Sequence, residues 1–266
     1  MEMGEACYHR RNIMMRATKA TIAVLDVIGD IDFTTAQEAL AALREAAYKY
    51  RPGVLVVRIN SSGGSIAAAQ QICEAVDALR ANGVLTISCC GDIAKSAALY
   101  LAASADVVMA QPGTITGNVG ATMRHASFAE LAKRLGIHDI VIASGTFKDP
   151  GRLAIAPEDH ELEIMRDVVM AVHRQFMAWL ADRRNLSYDQ LNRLADGRLL
   201  TGEEARNLGL IDHLGGFWRA LTIAADHMHV LNPRVVFLST RQNSRASVLS
   251  WLLPLTLRKL LPSLMR

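Results

Sequence analysis

From Thr21 onward the chain alternates short β-branched and aliphatic runs with longer amphipathic stretches, and this alternation constrains the fold more than any other feature. A strand that reads as a nearly continuous apolar run is buried on both faces, and its return to a parallel neighbour requires a crossover that is usually a helix. Strands are expected at residues 21–27, 54–59, 84–90, 106–109 and 140–143. Helices are expected from about 35 to 49, where Thr35 and Glu38 form a capping-box pattern, from 65 to 81, and from 96 to just before Asp106. A long helix should follow at 158–183, with shorter ones at 187–194 and 202–208. The class implied is α/β around a mostly parallel sheet, with additional helices at the C-terminal end. The expected organisation is a flexible N-terminal segment (1–20), one domain (21–226) and a tail (227–266).

Composition narrows the function classes. A hydrophobic share of 51% with 21% charged residues describes a globular chain rather than a disordered one. The formal net charge of +3 is too small for a nucleic-acid-coating surface, so no such partner is expected. Cys7, Cys73, Cys89 and Cys90 have neither zinc-site spacing nor the density of a disulfide scaffold, which points to reduced thiols and a cytoplasmic setting. The N-terminal residues lack the apolar core of a secretory signal. The longest apolar run, 248–257, is about half of what crosses a bilayer. No transmembrane helix is therefore expected.

Two strand-to-helix junctions could carry chemistry. The first is Asn60-Ser61-Ser62-Gly63-Gly64-Ser65. Ligands of open α/β sheets bind beyond the strand C-termini, and glycines there let backbone amides approach an anion or a developing oxyanion closely. The same glycines also suit a plain chain reversal. The second junction, Gly91-Asp92-Ile93-Ala94-Lys95-Ser96-Ala97-Ala98-Leu99-Tyr100, places Ser96 at a helix start among small residues. A serine there is either a helix cap or an exposed nucleophile.

Taken in order, NSSGGS, GDIAKSAALYLAASAD, PGTITGNVG, SGTFKD and LADGRLLTGEEARNLGLIDHLGG resemble the signal peptide peptidase A family of serine proteases, over residues 20 to 226. That family shares the fold of crotonases and of the Clp proteolytic subunit, a superhelix of ββα units. The resemblance implies Ser96 as nucleophile and Lys148, in Ser144-Gly145-Thr146-Phe147-Lys148, as general base, forming a Ser/Lys dyad. A lysine can act as a base only when burial lowers its pKa toward neutrality. The amides of Gly63 and Ala97 would hold the oxyanion. Asn118 would support the lysine, standing where the family commonly has a serine. Ala97 and Ala98 replace two glycines of the family pattern, and Ser61-Ser62-Gly63 replaces Ser-Pro-Gly.

The activity implied is acyl-enzyme hydrolysis of signal peptides or unfolded apolar peptides, by a homo-oligomer that needs no cofactor or metal. Alternatives within the fold are a phage-type head-maturation protease, an inactive assembly scaffold and, less well matched, a crotonase-type acyl-CoA enzyme. A Clp-like triad would instead use His125 with Asp149 or Asp167. Lys95, adjacent to Ser96, points to a different face, and His138, His160 and His173 read as surface or core residues. Residues 227–266 hold six basic and no acidic side chains, so the positive balance belongs wholly to this leucine-rich tail. Its expected partners are a neighbouring subunit, an anionic membrane surface, or both.

Overall fold

The computed structural model describes residues 20–238 apart from 146 and 151. Residues 1–19 of the expected N-terminal segment and 239–266 of the expected tail lie outside the described residues.

Strands β1 (Thr21–Ile28), β2 (Val54–Ser61) and β3 (Leu85–Ala94) pair in parallel, with Val24 opposite Val56 and Val56 opposite Ile87. Both faces are covered, which is why these strands read as unbroken apolar runs. Ala23, Leu25, Leu55, Val57 and Ile59 face α1 (Phe33–Glu45) and α2 (Ile66–Ala81). On the other face Ile22, Val24, Val54 and Ile87 pack under α8 (Phe217–Met228), which buries Ala220 and Ala224. Helix α1 starts two residues earlier than expected, because Asp32, not Thr35, accepts the capping bond (2.8 Å from the Thr35 amide).

Beyond Ile59 the β2–β3 register shifts. The Asn60 carboxamide oxygen takes up the Ile93 amide at 3.1 Å, so the first residue of NSSGGS is a structural acceptor. Strand β3 consequently divides its partners. Ile87 to Cys89 pair with β4 (Val107–Ala110), while Ile93 pairs with β5 (Ile115–Gly117). Strand β5 runs antiparallel to β6 (Leu199–Thr201), and β4 pairs with β7 (His213–Leu214). The result is an eight-stranded, mostly parallel sheet with helices on both faces, the expected α/β architecture.

The short helix α3 (Ala97–Ala102) is wholly buried. Helix α4 (Ala129–Arg134) belongs to an exposed arm. The long helix α5 (Asp159–Arg184) falls within a residue of expectation. Helices α6 (Tyr188–Asn192) and α7 (Gly202–Asn207) also form where expected.

Two expectations are revised. Residues 140–143 are not a strand but exposed coil, because their apolar side chains find no neighbouring strand, with Ile140 84% and Ile142 97% exposed. Strand β8 (Arg234–Phe237) pairs with the β1 edge, so the sheet runs past the expected boundary at 226. Among the described residues no helix is long and apolar enough to cross a membrane.

Candidate active site

Ser96 stands immediately before α3, past the end of β3, with φ 55° and ψ −125°, a conformation that costs a non-glycine residue roughly 1–3 kcal/mol. Neighbouring backbone holds it there: its amide donates to Gly117 O at 2.9 Å, and its carbonyl accepts from the Tyr100 amide at 3.0 Å. The side chain makes no capping bond, so Ser96 is not a structural cap. Its hydroxyl is left to face a cavity of about 670 Å³.

Gly63 packs directly on this turn. A Cβ at Gly63 would lie 2.9 Å from both Lys95 O and Ser96 Cβ, and 3.2 Å from the Ala97 amide nitrogen, and its φ of 105° also favours glycine. The backbone of the first junction thus touches that of the second at the candidate nucleophile. The Gly63 amide is engaged, donating to the buried Ser61 hydroxyl at 3.1 Å. The Ala97 amide, at the first helical position, has no partner among the described residues.

Asn118 lines the same cavity, with φ 55°. Its carboxamide nitrogen donates to Gly197 O at 3.1 Å, and its backbone amide donates to Arg198 O at 2.7 Å. Helix α5 supplies the opposite wall through Val168, Val169, Met170, Val172 and His173. That helix is anchored by Phe176 and Leu180, both fully buried, by the Trp179 ring stacked on Tyr100 of α3 at 3.8 Å, and by an Arg183–Asp77 pair. Asp196 also lines the cavity. Two-point bonding to Arg198 holds its carboxyl down at about 2.

Lys148 is elsewhere. It is exposed, its ammonium meets no described hydrogen-bonding or ionic partner, and it is not among the residues lining the cavity. It rides on an arm in which, between Thr122 and Asp149, only Ala132 is buried among the described residues. The burial that would make this lysine a base is not supplied by the chain's own described residues. The triad alternative is not assembled either. His125 Nε2 is enclosed without a hydrogen-bond partner, and Asp149 and Asp167 are both exposed.

Among the described cysteines, burial pushes the thiols of Cys73 and Cys90 up to about 12 and that of Cys89 to about 11, leaving them poor nucleophiles. Among the described residues no group of three or more His, Cys, Asp or Glu side chains could hold a metal ion. Three residues of the site were given no role from the sequence: Ser61, Asp196 and His173. His173 stands at helical spacing from the buried Phe176 and Leu180, and only the fold shows that this side of α5 lines a cavity.

The chain is similar to known proteases. The model of peptidase family S49 matches residues 78–231, and that of Clp protease matches residues 5–116. A Synechocystis protein named as a protease is 33% identical over 75% of this chain and 71% of its own length. Protease 4 of Salmonella typhi is 26% identical over 83% of this chain, and the chloroplastic serine protease SPPA of Arabidopsis thaliana is 29% identical over 80%. The chain spans only 37% and 32% of those two relatives.

Proposed function

The chain belongs to peptidase family S49, and from that premise we propose that it is a serine endopeptidase with Ser96 as nucleophile. The observation that carries this reading is the strained Ser96 turn, whose uncommitted hydroxyl opens on the cavity beside the Gly63 and Ala97 backbone. Strain at a single serine, paid for by surrounding packing, is a feature of sites rather than of caps.

In the proposed reaction Ser96 Oγ attacks the scissile carbonyl carbon and its proton passes to the base. The carbonyl π electrons move to oxygen, where the Gly63 and Ala97 amides receive the charge. In the resting chain the Gly63 amide bonds a neutral hydroxyl; a charge-assisted bond is about twice as strong, so the exchange toward the oxyanion becomes favourable as charge develops. Collapse of the intermediate breaks the C–N bond, the base returns its proton to the leaving amine, and water then hydrolyses the acyl-enzyme.

Lys148 is the proposed base, brought to Ser96 by a second copy of the chain. Support comes from the arm itself, which exposes Ile137, Ile140 and Ile142 around a lysine that the chain's own described residues leave unpaired. Docking that surface on a neighbour would bury the lysine and lower its pKa. Asn118, with its carboxamide nitrogen committed to Gly197, keeps its oxygen free to accept from an arriving ammonium. The apolar α5 wall fits apolar peptides such as signal peptides as substrate. A fluorophosphonate probe should label the protein at Ser96, and Ser96→Ala should lose both labelling and peptide hydrolysis, by roughly a thousandfold or more, while folding normally. Undiminished hydrolysis by that variant refutes the assignment.

A further inference from the structure

Two neighbouring features of the Ser96 cavity are left unused by the chemistry above. The first is His173. The rest of the α5 wall is aliphatic or thioether, yet His173 stands half-buried within it and makes no hydrogen bond or ion pair with any described residue. Among the other polar side chains of the cavity, Asp196 is bonded to Arg198 and Asn118 Nδ2 to Gly197. An imidazole can offer a ligand both a donor and an acceptor nitrogen, and neither nitrogen of His173 is committed to a described residue.

The second is Gly120, on the opposite wall. Its φ lies outside the left-handed region, so the backbone does not require glycine there. A Cβ at this position would meet only His173 Nδ1, at 3.8 Å, which is ordinary contact, so the protein's own packing does not require glycine either. What the missing side chain leaves is a methyl-sized space beside His173 Nδ1.

We propose that His173 is a specificity-determining residue: the substrate side chain that enters the Ser96 cavity ends on the α5 wall beside Gly120, where His173 hydrogen-bonds its polar end. The side chain so selected has an apolar stem, matching Val169 and Val172, and a neutral hydrogen-bonding terminus, as glutamine has. The inference rests on the peptidase reading and adds to it the substrate class of the cavity.

The hydrolytic test compares the full-length protein with His173→Leu, His173→Gln and Gly120→Ala on a positional peptide library containing glutamine and leucine at each position. One position should favour glutamine in the unmodified protein. There His173→Leu should lower kcat/KM for the glutamine peptide about tenfold, while the leucine peptide stays within about twofold. His173→Gln should restore part of the difference, and Gly120→Ala should raise KM for the glutamine peptide. Equal losses for both peptides, or no change in their ratio, overturn the inference while leaving the peptidase reading intact.

A binding test separates the two readings. In Ser96→Ala protein with ¹³C-labelled histidine, assigned against the His173→Leu variant, the glutamine peptide should shift the His173 imidazole signals and its leucine counterpart should not. Identical responses, or none at saturating peptide, overturn the role of His173. Absence of hydrolysis by the unmodified protein, with these shifts present, falls on the peptidase reading instead.

Discussion

The turn that carries Ser96 and the arm that carries Lys148 are built in opposite ways. Around Ser96 every residue of α3 is buried, Gly63 packs on Lys95 and Ser96 so tightly that no methyl group fits, and the backbone is held in a conformation it would not adopt alone. Around Lys148 the chain has almost no interior and displays isoleucines to solvent. The first region is rigid because folding of one chain completes it. The second has the composition of a buried surface without the burial, and so reads as half of a contact. One half of the proposed chemistry is thus supplied by intrachain packing and the other awaits assembly.

The contrast is most sharply tested at Gly63. Gly63→Ala puts a Cβ 2.9 Å from Lys95 O and Ser96 Cβ at a φ of 105°, and activity should fall on the order of a hundredfold or more because an oxyanion donor moves. Near-normal hydrolysis would show that the two junctions are not jointly required. A paired experiment follows on stability. Phe176→Ala, in the buried anchor of α5, should cost about 3–5 kcal/mol of unfolding free energy, measured by denaturant titration. Ile142→Ala, at a residue 97% exposed, should change monomer stability by less than about 0.5 kcal/mol, yet weaken self-association in sedimentation. Equal effects in both assays would erase the distinction between turn and arm. The smallest effect is expected for Ser61→Ala, which removes the resting partner of the Gly63 amide. Values of kcat should rise by no more than about tenfold, since a neutral hydrogen bond contributes about 1 kcal/mol; a fall would mean that Ser61 holds the turn in shape.

The same contrast explains what could be read from the sequence. Strands β1 to β3 are legible because burial on both faces writes itself as TIAVLDVI and VLVVRINS. Strands β5, β6 and β7 have only three, three and two residues, too few to show any period, and their partners lie far away in the chain. Residues 140–143 have the composition of a strand, and composition cannot tell burial by a neighbouring strand from burial awaiting a partner. Asp32 displaced Thr35 as helix cap because both are good acceptors three residues from an amide, and tertiary placement decides between them.

At the site, reasoning about strand-to-helix junctions singled out the segments of Ser96 and Gly63 but left each open between a structural and a chemical reading, and the resemblance supplied the roles. The role of Lys148 came from resemblance alone, as nothing in its local sequence distinguishes it from a solvated lysine. His173 read only as a surface or core residue, because the cavity it lines depends on where α5 crosses α3.

The account turns on whether Ser96 and Lys148 act across two copies of the chain. Ser96→Ala and Lys148→Ala proteins, each inactive alone, should regain peptide hydrolysis when mixed and allowed to exchange subunits, because some interfaces then pair an intact serine with an intact lysine. A mixture that exchanges subunits yet stays inactive, or a Lys148→Ala protein that is fully active alone, would contradict it.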